Sequence, residues 1–349
     1  MSAIISRIAR SSLLLAALAA FTAAPARAQS PEQFYSGRTI TFIVGYGSGA
    51  SYDVGARMMA RHMSRHIPGK PSVVVQNMPG AGSMSAANQL ANASAKDGSV
   101  IGMIGRGLYL EALFENPAVK FDPLKLNWIG SHGREVSVLV TGKDTGFRTV
   151  EDIRSREIII GASAPGADTH VFALVLRHLL DAKVKIVAGF PGQAQAFLAM
   201  DRGEVHANAG ATIGTLMALR PQWLTEKGHA NFVVQLATEK HPTLLQGVPL
   251  IMDFARNDVD RGAMELAFAR QSIAYAYFAP PGVPADRLEA LRAGFWGAVK
   301  DPELQAEAQK LNVDLAPAGG DEILKVIQRA YTMKPEVLAR AKAVLTAKE

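Results

Sequence analysis

One arrangement occurs twice in this chain and restricts its fold more than any other feature. An apolar strand runs into a glycine-rich loop, then an Asp, then an amphipathic helix, first at residues 40–63 (ITFIVGYGSGASYDVGARMMARHM) and again at 158–180 (IIIGASAPGADTHVFALVLRHLL). Each loop ends on a helix N-terminus, where unpaired backbone N–H groups and the positive end of the helix dipole favour an anion. Two such ends suggest two halves of one clamp for a small acidic molecule.

Strands and helices alternate along most of the chain, the pattern of an α/β protein with largely parallel sheets. Strands are expected at Thr39 to Val44, Ser72 to Gln76, Val100 to Ile104, Val136 to Thr141, Ile158 to Ile160, Val184 to Val187, Phe232 to Leu236 and Ile273 to Ala279. Helices are expected at Asp53 to His66, Ser83 to Ala93, Thr169 to Leu180 and Gln193 to Asp201, and in a tail at Ala285 to Lys300, Pro302 to Leu311, Asp321 to Tyr331 and Pro335 to Leu345. In the first helix Ala56, Met59, Ala60, Met63 and Ile67 share a face. Arg57, Arg61, His62 and Arg65 lie opposite and are expected to meet solvent. The long helical tail needs a sheet to cover, so the chain is expected to leave domain one near Gly130, build domain two and return near Ile273. Two crossings make a hinge. The resulting division is lobe one at 29–132 and 274–349, and lobe two at 133–273.

Residues 1–28 read as a secretory signal peptide: Arg7 and Arg10, an apolar stretch from Leu13 to Ala20, and Ala26-Arg27-Ala28 as a small-x-small cleavage site. Cleavage removes Arg7, Arg10 and Arg27 from a formal charge of +6 and leaves +3, a mild bias that suits acidic small ligands and is too diffuse for nucleic acid. The chain has no cysteine, which excludes disulfides, thiolate metal sites and a lipid-modified N-terminal Cys. No later stretch offers about 18 unbroken apolar residues. A free periplasmic monomer fits these features.

Gly45-Tyr46-Gly47-Ser48-Gly49-Ala50 formally satisfies the GxGxxG/A dinucleotide fingerprint, but the second strand (SVVVQNM) ends on Gln76 and Asn77 where a ribose-binding acid is expected. A small-anion loop is the better reading, and no cofactor is expected. Asp53 and Asp168 each precede an apolar-periodic helix and read first as N-caps; Asp168 stays open to a ligand amine or hydroxyl. Gly161-Ala162-Ser163-Ala164-Pro165 begins like a nucleophile elbow but has Pro165 where GxSxG requires Gly. His62 and His66 stand at i, i+4 without the Glu of HExxH and beside Arg61 and Arg65, so no metal is expected. Arg106, within Gly105-Arg106-Gly107 at the carboxyl edge of the third strand, can hold a carboxylate through two parallel bonds. Tyr46 and Phe190 are candidate walls.

Several segments together carry a resemblance: Ile43 to Asp53 (IVGYGSGASYD), Val73 to Gly82 (VVVQNMPGAG), Lys96-Asp97-Gly98 and Phe278 to Arg287 (FAPPGVPADR). They resemble the periplasmic solute receptors of tripartite tricarboxylate transporters, the Bug family, over nearly the whole mature chain. The resemblance implies a two-lobed Venus-flytrap fold of the type II periplasmic-binding-protein class, with two mixed, mainly parallel sheets. It also implies a carboxylate ligand, no catalysis, and partnership with membrane permease subunits. The resemblance places the acid on Ser48, Gly49, Ala50, Ser51 and Tyr52 of lobe one, and the candidate contacts there also include Tyr46, Gly47, Asn77 and Arg106. On lobe two they are Ser163, Ala164, Gly166, Ala167, Asp168 and Thr169, with Phe190, Pro191, Gly192, Asn208 and Gly210 in further pocket-lining loops. The chain departs from the family pattern at Gly45-Tyr46-Gly47, where proline-flanked Phe is frequent, and at Asp168, which replaces a small hydroxyl residue. The competing readings are a secreted α/β hydrolase and a receptor that serves a membrane signalling protein.

Overall fold

In β1 (Thr39–Val44) alternate residues go to opposite faces: Ile40, Phe42 and Val44 join one core and Ile43 another. Both faces must therefore be covered, as in α/β sheets generally. The computed structural model, which describes residues 29–49, 51–163, 165–225 and 229–347, shows how. Helices Ser51–His66 and Ala285–Lys300 pack on the first face through Met58, Met59, Met63, Leu291 and Phe295. Helices Met84–Asn92 and Gly320–Tyr331 cover the other through Leu90, Ile323 and Ile327. The signal-peptide reading falls on residues outside those described, and no helix among the described residues is long and apolar enough to cross a membrane.

The first sheet also contains β2 (Ser72–Asn77), β3 (Val100–Met103), β4 (Asn127–Ser131), β10 (Ala276–Ala279) and β11 (Ala318–Gly319), in the order β11-β4-β10-β3-β1-β2. The second contains β5 (Ser137–Gly142), β6 (Ile158–Gly161), β7 (Val184–Val187), β8 (Ala207–Thr212) and β9 (Ala230–Leu236), in the order β7-β6-β8-β5-β9. Both sheets are mixed: β1, β2 and β3 pair in parallel, as do β6 with β7 and β8, while the remaining pairings are antiparallel. The parallel character expected from the strand–helix alternation thus holds in one half of each sheet.

The chain passes from β4 to β5 through residues 132–136 and returns to β10 through the turn Arg270–Ile273, so the strand expected over Ile273 to Ala279 is confined to Ala276–Ala279. The two passages are tied together. Glu135 N–H donates to Gln271 O at 3.0 Å, Ser137 Oγ to Gln271 Oε1 at 2.7 Å, and Tyr275 N–H to Ser131 Oγ at 3.2 Å.

The basic face of helix Ser51–His66 meets solvent as expected at Arg57, Arg61 and Arg65, whose side chains are 42%, 53% and 45% exposed, but His62 is buried. Asp301 and helix Pro302–Lys310 lie along this face and pair with it: Arg65 with Glu303 at 2.6 Å and Asp301 at 3.1 Å, His62 Nε2 with Glu307 at 2.7 Å, and Arg61 also with Glu307. His62 is 5% exposed. Periodicity shows only that a face is polar; the acids that complement it lie more than two hundred residues away. His62, Asp301 and Glu303 come close enough to share a cation, but Arg65 stands among them and already supplies the positive charge. The last helix, Pro335–Leu345, packs on helix Asp258–Ala269 and on helix Asp168–Leu179 of the second sheet, where Arg340 donates to Asp260 at 2.9 Å and to His178 O at 2.8 Å.

Candidate functional site

The first glycine loop is organised by Asp53, the third residue of its helix, which is 2% exposed. Its Oδ2 accepts from Gly49 N–H at 2.8 Å, Ser48 Oγ at 3.2 Å and Arg57 Nε at 3.0 Å, and its Oδ1 accepts from Asn77 Nδ2 at 2.8 Å. Burial alone would raise this carboxyl, but the bonds from Arg57, Gly49 and Asn77 outweigh it and hold it well below the usual carboxylate range. Asp53 is therefore a cap acting from inside the first turn rather than at the N-cap position. Asn77 is part of the scaffold, since its amide also donates to Tyr46 O at 3.0 Å and accepts from Arg57 at 2.9 Å. The hydroxyl of Ser48 and the N–H of Gly49, both expected on the ligand, are turned inward.

Asp168 opens helix Asp168–Leu179 as its first residue, and the N-cap is Ala167. Its carboxylate reaches out of the second loop to two guanidiniums: Arg106 Nε donates to Oδ2 at 2.8 Å, Arg106 Nη2 binds the same oxygen, and Arg270 Nη1 lies 3.3 Å from Oδ1. Arg106 Nη1 binds Glu135, which also accepts from the Tyr275 hydroxyl. Burial opposes ionisation of Asp168, yet Arg106 and Arg270 hold its carboxyl below the usual range. Arg106 thus holds a carboxylate as its position in sequence suggests, but the carboxylate belongs to the protein. Three tyrosines lie against this network: Tyr46 and Tyr52 have ring centroids 4.4 Å apart, Tyr52 and Tyr275 are 5.0 Å apart, and burial pushes Tyr46 up to about 12.

Thr169 Oγ1 accepts the N–H of Ser163 at 2.9 Å, and Gly189 N–H donates to Ser163 O at 3.0 Å, so the second loop is zipped to the one carrying Phe190, Pro191 and Gly192. Phe190 lies over Gly161, where a Cβ would come within 3.2 Å of its ring. Gly166 is exposed with φ +83. Asn208 and Gly210, expected in a loop, lie inside β8; Asn208 is fully buried and donates to Gly161 O at 3.0 Å. Gly210 has φ +120, and a Cβ there would sit 3.3 Å from the Thr169 backbone, so glycine lets the helix N-terminus rest on the strand. Ala50 and Ala164 lie outside the described residues.

A cleft of about 1110 Å3 opens beside the two passages between the sheets. Gly49, Ser51 and Val54 line it from the first sheet, Gln193, Thr212, Gly214 and Thr215 from the second, and His132, Glu135, Gln271 and Tyr275 at the crossings. Its volume is ample for a small solute. Of the residues the sequence singled out, Gly49 and Ser51 reach it, while Gly47 remains exposed on the loop and Tyr46, Tyr52, Arg106 and Asp168 build the wall behind Glu135 and Tyr275. Gln193, Thr212 and Thr215 were missed. Gln193 directly follows the Gly192 singled out from sequence, so reading one turn further into that helix would have reached it.

No protein-family profile matches the chain. A UPF0065 protein in the tcbD-tcbE intergenic region of Pseudomonas sp. strain P51 is 26% identical over 340 residues, covering 94% of this chain and 93% of that protein. A UPF0065 protein in the gbd 5' region of Cupriavidus necator is 33% identical over 147 residues, 42% of this chain and 43% of the relative's length. A TctC solute binding protein from Polaromonas superposes with a TM-score of 0.65 at 19% identity, covering 90% of this chain and 100% of that one. The periplasmic binding protein BugD gives 0.64 at 19%, covering 88% and 97%. The chain therefore shares its fold with these two binding proteins. MatC from Rhodopseudomonas palustris, with malate bound, gives 0.62 at 20%, covering 88% of this chain and 99% of that one.

Proposed function

We propose that this protein is a periplasmic receptor that closes on a small carboxylate between two lobes and delivers it to the permease subunits of a tripartite tricarboxylate transporter. The observation that carries this reading is the cleft beside the two crossings, with Gly49 and Ser51 of the first glycine loop on one side and Gln193, Thr212 and Thr215 on the other. Malate in MatC supports a carboxylate as the ligand class. One lobe comprises 29–132 with the chain after 274, the other 133–273, and the last helix travels with the second lobe because it packs there. The ligand contacts are those of the cleft, with Ser51 and backbone N–H groups of its loop taking the acid. Closure shifts a pre-existing equilibrium as the ligand bridges both sides.

Thermal unfolding in the presence of mono-, di- and aromatic carboxylates tests the reading. A bound acid at a hundred times its Kd should stabilise the protein by about 2.7 kcal/mol. No shift with any member of a broad panel would overturn it.

A further inference from the structure

We infer that the receptor selects solutes with one carboxylate and an uncharged remainder, and that Asp168 is the residue that excludes a second carboxylate. The inference rests on the receptor reading above and concerns the charge that the cleft wall accepts.

Backbone N–H groups can take one carboxylate of a ligand, and a second, at the far end, is favoured most by a desolvated cation, for which a guanidinium is best shaped. Two such groups stand behind the cleft wall, with the side chains of Arg106 and Arg270 10% and 6% exposed. Arg106 is fully committed and Arg270 in part, its Nη2 being buried without a partner. Arg106 gives Nε and Nη2 to Asp168 and Nη1 to Glu135, and Arg270 faces Asp168 from the other side. Two cations thus face two carboxylates, and the network meets the cleft through Glu135 and Tyr275. A second ligand carboxylate arriving there meets the acid Glu135, while neither guanidinium lines the cleft.

The cleft's other cationic side chains do not change this. Arg134, Lys240 and Arg329 lie at its rim, 48%, 56% and 70% exposed, each beside an acid: Glu322 at 3.4 Å, Asp253 at 4.0 Å and Glu265 at 2.5 Å. Exposed and paired, they contribute little to holding a further anion. The imidazole of His132 is kept neutral by burial, which pulls it down to about 3. The remaining lining is neutral at Gln193, Thr212 and Thr215 and acidic at Glu239, Glu265 and Asp314. The neutral side chains hydrogen-bond a hydroxyl, carbonyl or amide and accept an apolar chain.

Titration calorimetry of the full-length mature protein with matched acids tests the inference: butanoate against succinate, hexanoate against adipate, benzoate against terephthalate. The wild type should bind at least one monoacid about tenfold or more tighter than its diacid partner. Asp168→Asn, which leaves the shape and adds one net positive charge, should move that ratio by tenfold or more toward the diacid. Adding Arg106→Gln restores neutrality and should return the preference to the monoacid, an outcome that a merely structural role for Asp168 does not produce. Diacids bound by the wild type as tightly as monoacids overturn the inference without any variant, and so does an unchanged ratio in Asp168→Asn. Binding of no carboxylate by the wild type removes the receptor reading as well, so the two failures are distinct.

Discussion

His132 should make the protein acid-sensitive well above the carboxylate range. It follows β4, is 1% exposed, and its ring stacks on Tyr275 with centroids 4.6 Å apart while Nδ1 meets the Tyr277 hydroxyl. Burial pulls its pKa down to about 3, so the folded protein keeps the ring neutral where an unfolded chain protonates it at about 6.5. Below that value the unfolded state binds more protons, and stability falls as pH drops from about 6.5 toward 3. Between pH 7 and pH 5 the loss from this one side chain is about 1.9 kcal/mol, set by the unfolded pKa because pH 5 lies about two units above the native one. His178, His206 and His241 shift in the same direction, so the share of His132 must be isolated by difference. His132→Phe keeps a stacked ring and removes the titration. It should be less stable at pH 7 by about 1 kcal/mol for the lost Tyr277 bond, yet lose about 2 kcal/mol less than the wild type on going to pH 5. Urea titrations at the two pH values measure both quantities. Equal losses in the two proteins would refute the reasoning.

Two substitutions test the frame around the cleft. Asp53→Ala removes the acceptor shared by Gly49, Ser48, Arg57 and Asn77, and it should cost about 2–4 kcal/mol in urea titrations, the upper end being limited because Arg57 is 42% exposed; a loss under about 1 kcal/mol would mean the loop holds its shape without this hub. Gly55→Ala should gain about 1 kcal/mol by helix propensity alone, but its Cβ would fall 2.6 Å from His132 Cε1, so a net destabilisation of about 1–3 kcal/mol is expected and a stabilised variant would contradict the packing.

The elements that periodicity could reveal are those whose burial is one-sided or whose ends are punctuated. Strands Thr39–Val44 and Val184–Val187 and helices Gln193–Asp201, Ala285–Lys300 and Pro335–Leu345 fall where the sequence places them. Strand β8 escaped because Ala-Asn-Ala-Gly-Ala-Thr has one β-branched residue in six; every position is buried, and small side chains are what allow the Thr169 turn to rest on it. In the site, local spacing shows which loops can present N–H groups but not which of those groups the protein uses itself. Asp53 lies four residues from both Gly49 and Arg57, so its inward role is at least a local pattern. Asp168 and Arg106 are 62 residues apart and belong to different sheets, so no spacing rule joins them. Two copies of one strand–loop–Asp–helix arrangement therefore end in different roles. The first Asp turns back into its own loop and leaves Gly49 and Ser51 at the cleft. The second reaches across to the opposite sheet and satisfies an arginine that a ligand could otherwise have taken.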